Sequence, residues 1–141
     1  MMNKKKINFD HILVHSLYEV VVAFIYGYGV YMLLHKGFSN AMAGLVFSIA
    51  SICSMFLQSV VSNIVDSSKK INAFEAGIII TICLTLGYFL NYITKNPDIF
   101  AALAFIFTVS VHCCLEPITN SLSFLFSRKG VDINAIGCYS N

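Results

Sequence analysis

Four apolar runs, residues 11–34, 42–65, 73–93 and 99–126, leave only short polar joints between them. Each is long enough for the roughly 20 residues that an α-helix needs to cross about 30 Å of hydrocarbon. Strands of a membrane β-barrel would need only ~10 residues of alternating polarity, and AGIIITICLTLGYFL (76–90) shows no alternation. Composition agrees: 57% of the residues are apolar and 11% charged, where soluble domains carry about a quarter charged. The expected fold class is therefore all-α integral membrane, with four transmembrane helices in a single unit, residues 1–141. A loop at 66–72 and a C-terminal stub at 127–141 complete it. The first run follows Lys4-Lys5-Lys6 but exceeds the roughly 7–15 residues of a signal-peptide core and lacks a small-residue cleavage site, so it stays as a helix.

Basic residues set the expected orientation. Lys4, Lys5, Lys6, Lys69, Lys70, Arg128 and Lys129 fall on one side of a four-span chain, and only Lys36 and Lys95 on the other. Loops rich in Lys and Arg stay in the cytoplasm, so the N-terminus and the 66–72 loop are expected there, in a multi-pass protein of the plasma membrane. The bilayer is the first partner this implies. The net charge of +2 is then topology bias and gives no reason to expect nucleic acid.

Catalytic and metal signatures are missing from the sequence. Cys53, Cys83, Cys113 and Cys114 lie inside spans with no C-x-x-C spacing, where free cysteine serves as a compact hydrophobe. No Gly-rich phosphate loop, nucleophile elbow or His-Glu-x-x-His occurs. No cofactor, no metal and no enzymatic activity are expected.

Polar groups within the spans carry the remaining information. In the second span Gly44, Ser48, Ser51, Gln58 and Ser62 follow helical spacing along one face. Such a face suits close helix packing in lipid, and Gln58 suits either packing or a pore lining. In the first, Glu19, Ala23, Tyr26 and Val30 share a face, with Gly27 and Gly29 loosening the helix. Glu19 lies too deep for its short stem to snorkel, so it is expected to face protein or water. In HCCLEPITNSL (112–122), His112, Glu116 and Asn120 are spaced by four and form a polar strip on the fourth helix, with Pro117 favouring a kink. A carboxylate in hydrocarbon costs about 2.5–3.5 kcal/mol on insertion scales, which points the strip at a bundle interior or an aqueous cavity. Packing against a neighbouring helix is the competing reading of Glu116.

Residues 37–70, GFSNAMAGLVFSIASICSMFLQSVVSNIVDSSKK, resemble the outer loop, second helix and inner loop of a major facilitator superfamily transporter. The likeness is to the oligosaccharide and nucleoside proton symporters related to lactose permease. The inner-loop motif G-x-x-x-D-x-x-x-K/R is represented by Ser62, Asp66, Lys69 and Lys70, with serine in place of the glycine. Residues 116–141 are similar to the end of the fourth helix, its inner loop and the start of a fifth helix. The family's Asn-x-Gly-x-x-Arg-x-x-Gly is reduced here to Asn134 followed directly by Ala135-Ile136-Gly137.

The resemblance implies the first part of an N-terminal six-helix half and secondary transport, with a sugar or nucleoside solute and protons as partners. It also implies a second chain, or further sequence, supplying the remaining helices. Without the coupling arginine, the isolated chain is expected not to transport. Two rivals share the architecture: a small four-helix exporter working as a dimer, and a non-transporting membrane subunit or remnant.

Overall fold

Capping residues, more than the apolar runs, fix where the helices start and stop in the computed structural model, which describes residues 4–67 and 73–128. The elements are α1 (Lys4–His35), α2 (Asn40–Ser67), α3 (Ala73–Ile93), α4 (Ile99–Cys113) and α5 (Leu115–Arg128). Gly37, at φ 96°, ends α1. The Gly37 N–H donates to Leu34 O and the Phe38 N–H to Leu33 O, at 2.9 and 3.2 Å, a paired closure that needs a left-handed residue between. Ser39 then caps α2, its hydroxyl accepting from the Met42 N–H at 3.3 Å. Asp98 does the same for α4, accepting from the Ala101 N–H at 2.8 Å.

Among the described residues there is no strand. Among the same residues, four segments are long and apolar enough to cross a membrane: His15–His35, Asn40–Val65, Ala73–Ile93 and Ile99–Ser121. The chain is an all-helical, multi-pass membrane protein. The fourth crossing is made by α4 and α5 together. Pro117 has no N–H to give the Cys113 carbonyl, and its ring crowds that group. The chain responds at Cys114, whose N–H bonds the Val111 carbonyl at 3.1 Å. The single fourth helix that the sequence expects, kinked at Pro117, is two helices with a break at Cys114.

This broken span is the centre of the bundle. Of its most apolar stretch 61% is buried, against 17–22% for the other three spans, because α4 packs between α2 and α3 while α1 leans on α2 and α5. One apolar cluster joins α1, α2 and α4 through Leu33, Ala43, Ala50, Ala101 and Phe105. A second joins α3, α4 and α5 through Ala76, Ile80, Val111, Cys114 and Ile118. Large residues such as Phe24, Phe56 and Ile82 stay exposed on the outside of α1, α2 and α3, as a lipid-facing surface requires.

Two sequence expectations about faces are corrected. The packing face of α2 is Ala43, Val46, Ala50 and Ser54, all buried, while Gly44 and Ser48 point outward. Small residues occur on both faces, and Ser48 satisfies its own hydroxyl on the Gly44 carbonyl at 2.8 Å, so it needs no helix beside it. Nor do Gly27 and Gly29 loosen α1, which is continuous. Gly29 instead admits two rings, since a Cβ there would lie 3.1 Å from Phe105 Cζ and 3.2 Å from Phe47 Cε2.

Candidate functional site

The break at Cys114 decides which polar side chains meet. His112, on the last turn of α4, is 1% exposed, and its ring stacks on Tyr18 of α1 with centroids 5.5 Å apart and planes 13° from parallel. Neither of its ring nitrogens has a hydrogen-bond partner among the described residues, and the buried Ser110 hydroxyl is in the same position. An imidazole must donate from one nitrogen or accept at the other, and leaving both unused in a buried place is costly. Beside it, Cys113 Sγ lies 3.5 Å from the Tyr26 hydroxyl.

Past the break, Glu116 occupies the first turn of α5, where the helix dipole favours negative charge. Its side chain is turned to the outside of the bundle and accepts a long hydrogen bond from Gln58 Nε2 of α2 at 3.4 Å. Gln58, Ser62, Ser59 and Pro117 line an open groove of about 610 Å³ along this α2–α5 seam. On α1, Glu19 is 45% exposed and pairs with His15 at 3.7 Å. Tyr18 stands within electrostatic range of Glu116, Cys113, Glu19 and Tyr26, which ties the α1 and α5 carboxylates into one neighbourhood.

The expected strip of His112, Glu116 and Asn120 is therefore divided. His112 is buried against α1, while Glu116 and Asn120, beyond the break at Cys114, are exposed. The Asn120 side chain makes no hydrogen bond among the described residues. Glu19, Tyr26, Gln58, His112 and Glu116 do converge, from the four helices α1, α2, α4 and α5, toward the end of the bundle that carries the N-terminus. Ser62 lies on the groove wall. The remainder of the inner-loop motif cannot be placed: Asp66 lies in α2 without a described side chain, and Lys69 and Lys70 lie outside the described residues, as does the stub from residue 129.

Sequence reasoning passed over Tyr18, which neighbours Glu19 and supplies the stacking plane, and it read Cys113 as filler. It also counted Lys36 only for topology. The Lys36 ammonium donates to the Asn91 carbonyl at 2.7 Å and to Thr94 Oγ1 at 3.0 Å, capping the C-terminus of α3 from the end of α1. The Asn91 amide in turn donates to Thr108 Oγ1 at 2.7 Å and to the Ala104 carbonyl at 3.0 Å. A Gly-x-x-x-Asn pair (Gly87, Asn91) near the end of an apolar span was the available signal. Burial pushes the Lys36 ammonium below the ordinary lysine value, and nearby Asp98 pulls it part of the way back.

No family model, no curated protein and no solved structure matches the chain.

Proposed function

We propose that the chain is a membrane-embedded part of a secondary transporter and that the seam of Tyr18, Glu19, Tyr26, Gln58, His112 and Glu116 is one wall of a solute and proton path. The observation that carries this is the outward-facing Glu116 carboxylate with Gln58 on an open groove. A carboxylate facing lipid is costly, so this side of the bundle is covered by water or by further polypeptide. The exposed Glu116 carboxylate, the Gln58 amide and the exposed ring of Tyr26 suit a ligand with hydroxyls and a flat apolar surface, such as a sugar or nucleoside. The resemblance of residues 37–70 to proton symporters supports the same reading, with the plasma membrane as its place and the N-terminus in the cytoplasm. A second copy of the chain covering the groove, in the manner of a small dimeric exporter, is favoured by the same outward carboxylate.

Cysteine accessibility tests the wall. Cysteines introduced at Gln58 and Glu116 are expected to react with water-soluble thiol reagents faster than one at Leu103, which is exposed on the apolar outside of α4. Equal, negligible reactivity at all three positions would leave Glu116 as a packing residue and remove the path. In vesicles with an imposed pH gradient, the chain alone is expected to show no uptake of oligosaccharides or nucleosides. Uptake abolished by Glu116→Gln would establish the self-assembled exporter instead.

A further inference from the structure

At the opposite end of the bundle, α1 and α3 make no substantial contact with each other: α3 rests on α4 and α5, and α1 on α2 and α5, with the Phe105 ring of α4 reaching Gly29 of α1 between them. The cleft between them holds two adjoining spaces. The deeper, of about 170 Å³, is walled by apolar and aromatic side chains including Phe24, Ile25, Phe105 and Val109. The outer, of about 520 Å³, is lined by His35, Lys36, Tyr92 and Lys95. Met32, Tyr88 and Asn91 border both, so the two lie side by side. Phe24 and Tyr28, on the rim of the deep space, are 61% and 62% exposed, and it therefore opens sideways toward lipid.

The charge at the mouth is only partly compensated: Asp98 stands within electrostatic range of Lys36 but makes no ion pair with it or with Lys95 among the described residues. All acceptors around the Lys36 ammonium are neutral: the Asn91 carbonyl, the Asn91 side-chain oxygen and the Thr94 hydroxyl. Lys95 is exposed and makes no hydrogen bond or ion pair among the described residues, so its three donors are open. A soluble anion would use the mouth and leave the apolar space unfilled, whereas a neutral lipid would fill the space and ignore the lysines. An amphipath with an anionic head matches both.

We propose that the cleft between α1 and α3 binds an anionic phospholipid, with one acyl chain in the Phe24–Phe105–Val109 space and the headgroup phosphate held by Lys36 and Lys95. This stands independently of the transport reading, since it uses the other end of the bundle. It also gives Lys36 a second task beyond closing α3.

Native mass spectrometry of the full chain, released from micelles holding equal amounts of phosphatidylglycerol and phosphatidylcholine with identical chains, tests it. Phosphatidylglycerol is expected to be retained preferentially. Lys95→Gln should reduce that preference about fivefold, the scale of one basic residue facing an anionic lipid. Lys36→Gln combined with Lys95→Gln should abolish it, and Lys69→Gln, in the loop beyond the other end of α2, should leave it unchanged. Lys95→Gln disturbs no hydrogen bond, so its result stands even if the double variant fails to fold. Equal retention of the two lipids by the unaltered chain, or a preference that Lys95→Gln leaves undiminished, overturns the proposal. So does displacement of phosphatidylglycerol by deacylated glycerophosphoglycerol, which would show a headgroup site with no role for the cavity.

Discussion

Asn91 does more to hold the bundle than any single residue of the sequence-derived site. It is 5% exposed, and its amide bridges α3 to α4 through Thr108 and the Ala104 carbonyl while its backbone carbonyl receives Lys36 from α1. The bridge depends on Gly87, one turn away, where a Cβ would stand 2.6 Å from Thr108 Oγ1, so any other residue holds α3 off α4. Interhelical hydrogen bonds in membranes contribute about 0.6 kcal/mol on average and about 1.7 at most, because the separated helices also find partners. A double-mutant cycle of Asn91→Leu with Thr108→Val, measured by unfolding in mixed micelles, is expected to give a coupling of about 0.6–1.7 kcal/mol. Strict additivity would mean that the 2.7 Å contact contributes nothing. Gly87→Val, which separates the helices outright, is expected to cost about 1–3 kcal/mol by overpacking.

The helix elements show what an apolar sequence can and cannot disclose. The third span, residues 73–93, coincides with α3, since polar residues precede it in the sequence and Thr94 follows, and length plus hydropathy suffice there. The second begins earlier than its apolar run, at Asn40, because the Ser39 cap and not the first apolar side chain decides the start. Faces are another matter. In lipid both the inside and the outside of a helix are apolar, so the Ala43–Val46–Ala50–Ser54 face and the Gly44–Ser48–Ser51 face of α2 look equivalent in sequence, and the serines bonded back to their own helix erase the polar clue. The Pro117 kink was legible; the exposure of Glu116 was not, because burial of His112 against α1 and exposure of Glu116 beyond Cys114 depend on how the helices pack and leave no trace in a spacing of four. The proline can be tested directly. In Pro117→Ala the restored N–H is expected to bond the Cys113 carbonyl and join α4 to α5, which slows amide exchange over residues 114–118. If the new amide at position 117 exchanges as freely as one in the Thr94–Asp98 loop, the break has some other cause.

For the whole molecule, the arrangement of ends follows from the crossings. The α1–α2 turn and the α3–α4 loop share one end, where a Cβ at Gly37 would sit 3.4 Å from Pro97 Cγ and Lys36 reaches Asn91 and Thr94. Both basic residues assigned to the sparse side, Lys36 and Lys95, are therefore neighbours at that end. The start of α1 and the residues joining α2 to α3 lie beyond the opposite ends of the same helices. Which end meets the cytoplasm is then a matter of charge. Seven of the nine lysine and arginine residues belong to the N-terminal segment, the 66–72 loop and the 127–141 stub, and positively charged loops resist translocation. Single cysteines placed in a chain freed of its five native ones make the test: at Ser39 and Asn96, a membrane-impermeant maleimide added to intact cells is expected to label the protein. At Ser68 it should label only after the membrane is opened. Labelling of Ser68 in intact cells, with Ser39 and Asn96 protected, would invert the molecule. The cationic mouth of the lipid cleft would then lie in the cytoplasmic leaflet, whose anionic lipids attract basic residues most strongly, while the Glu19–Glu116 neighbourhood would open to the exterior.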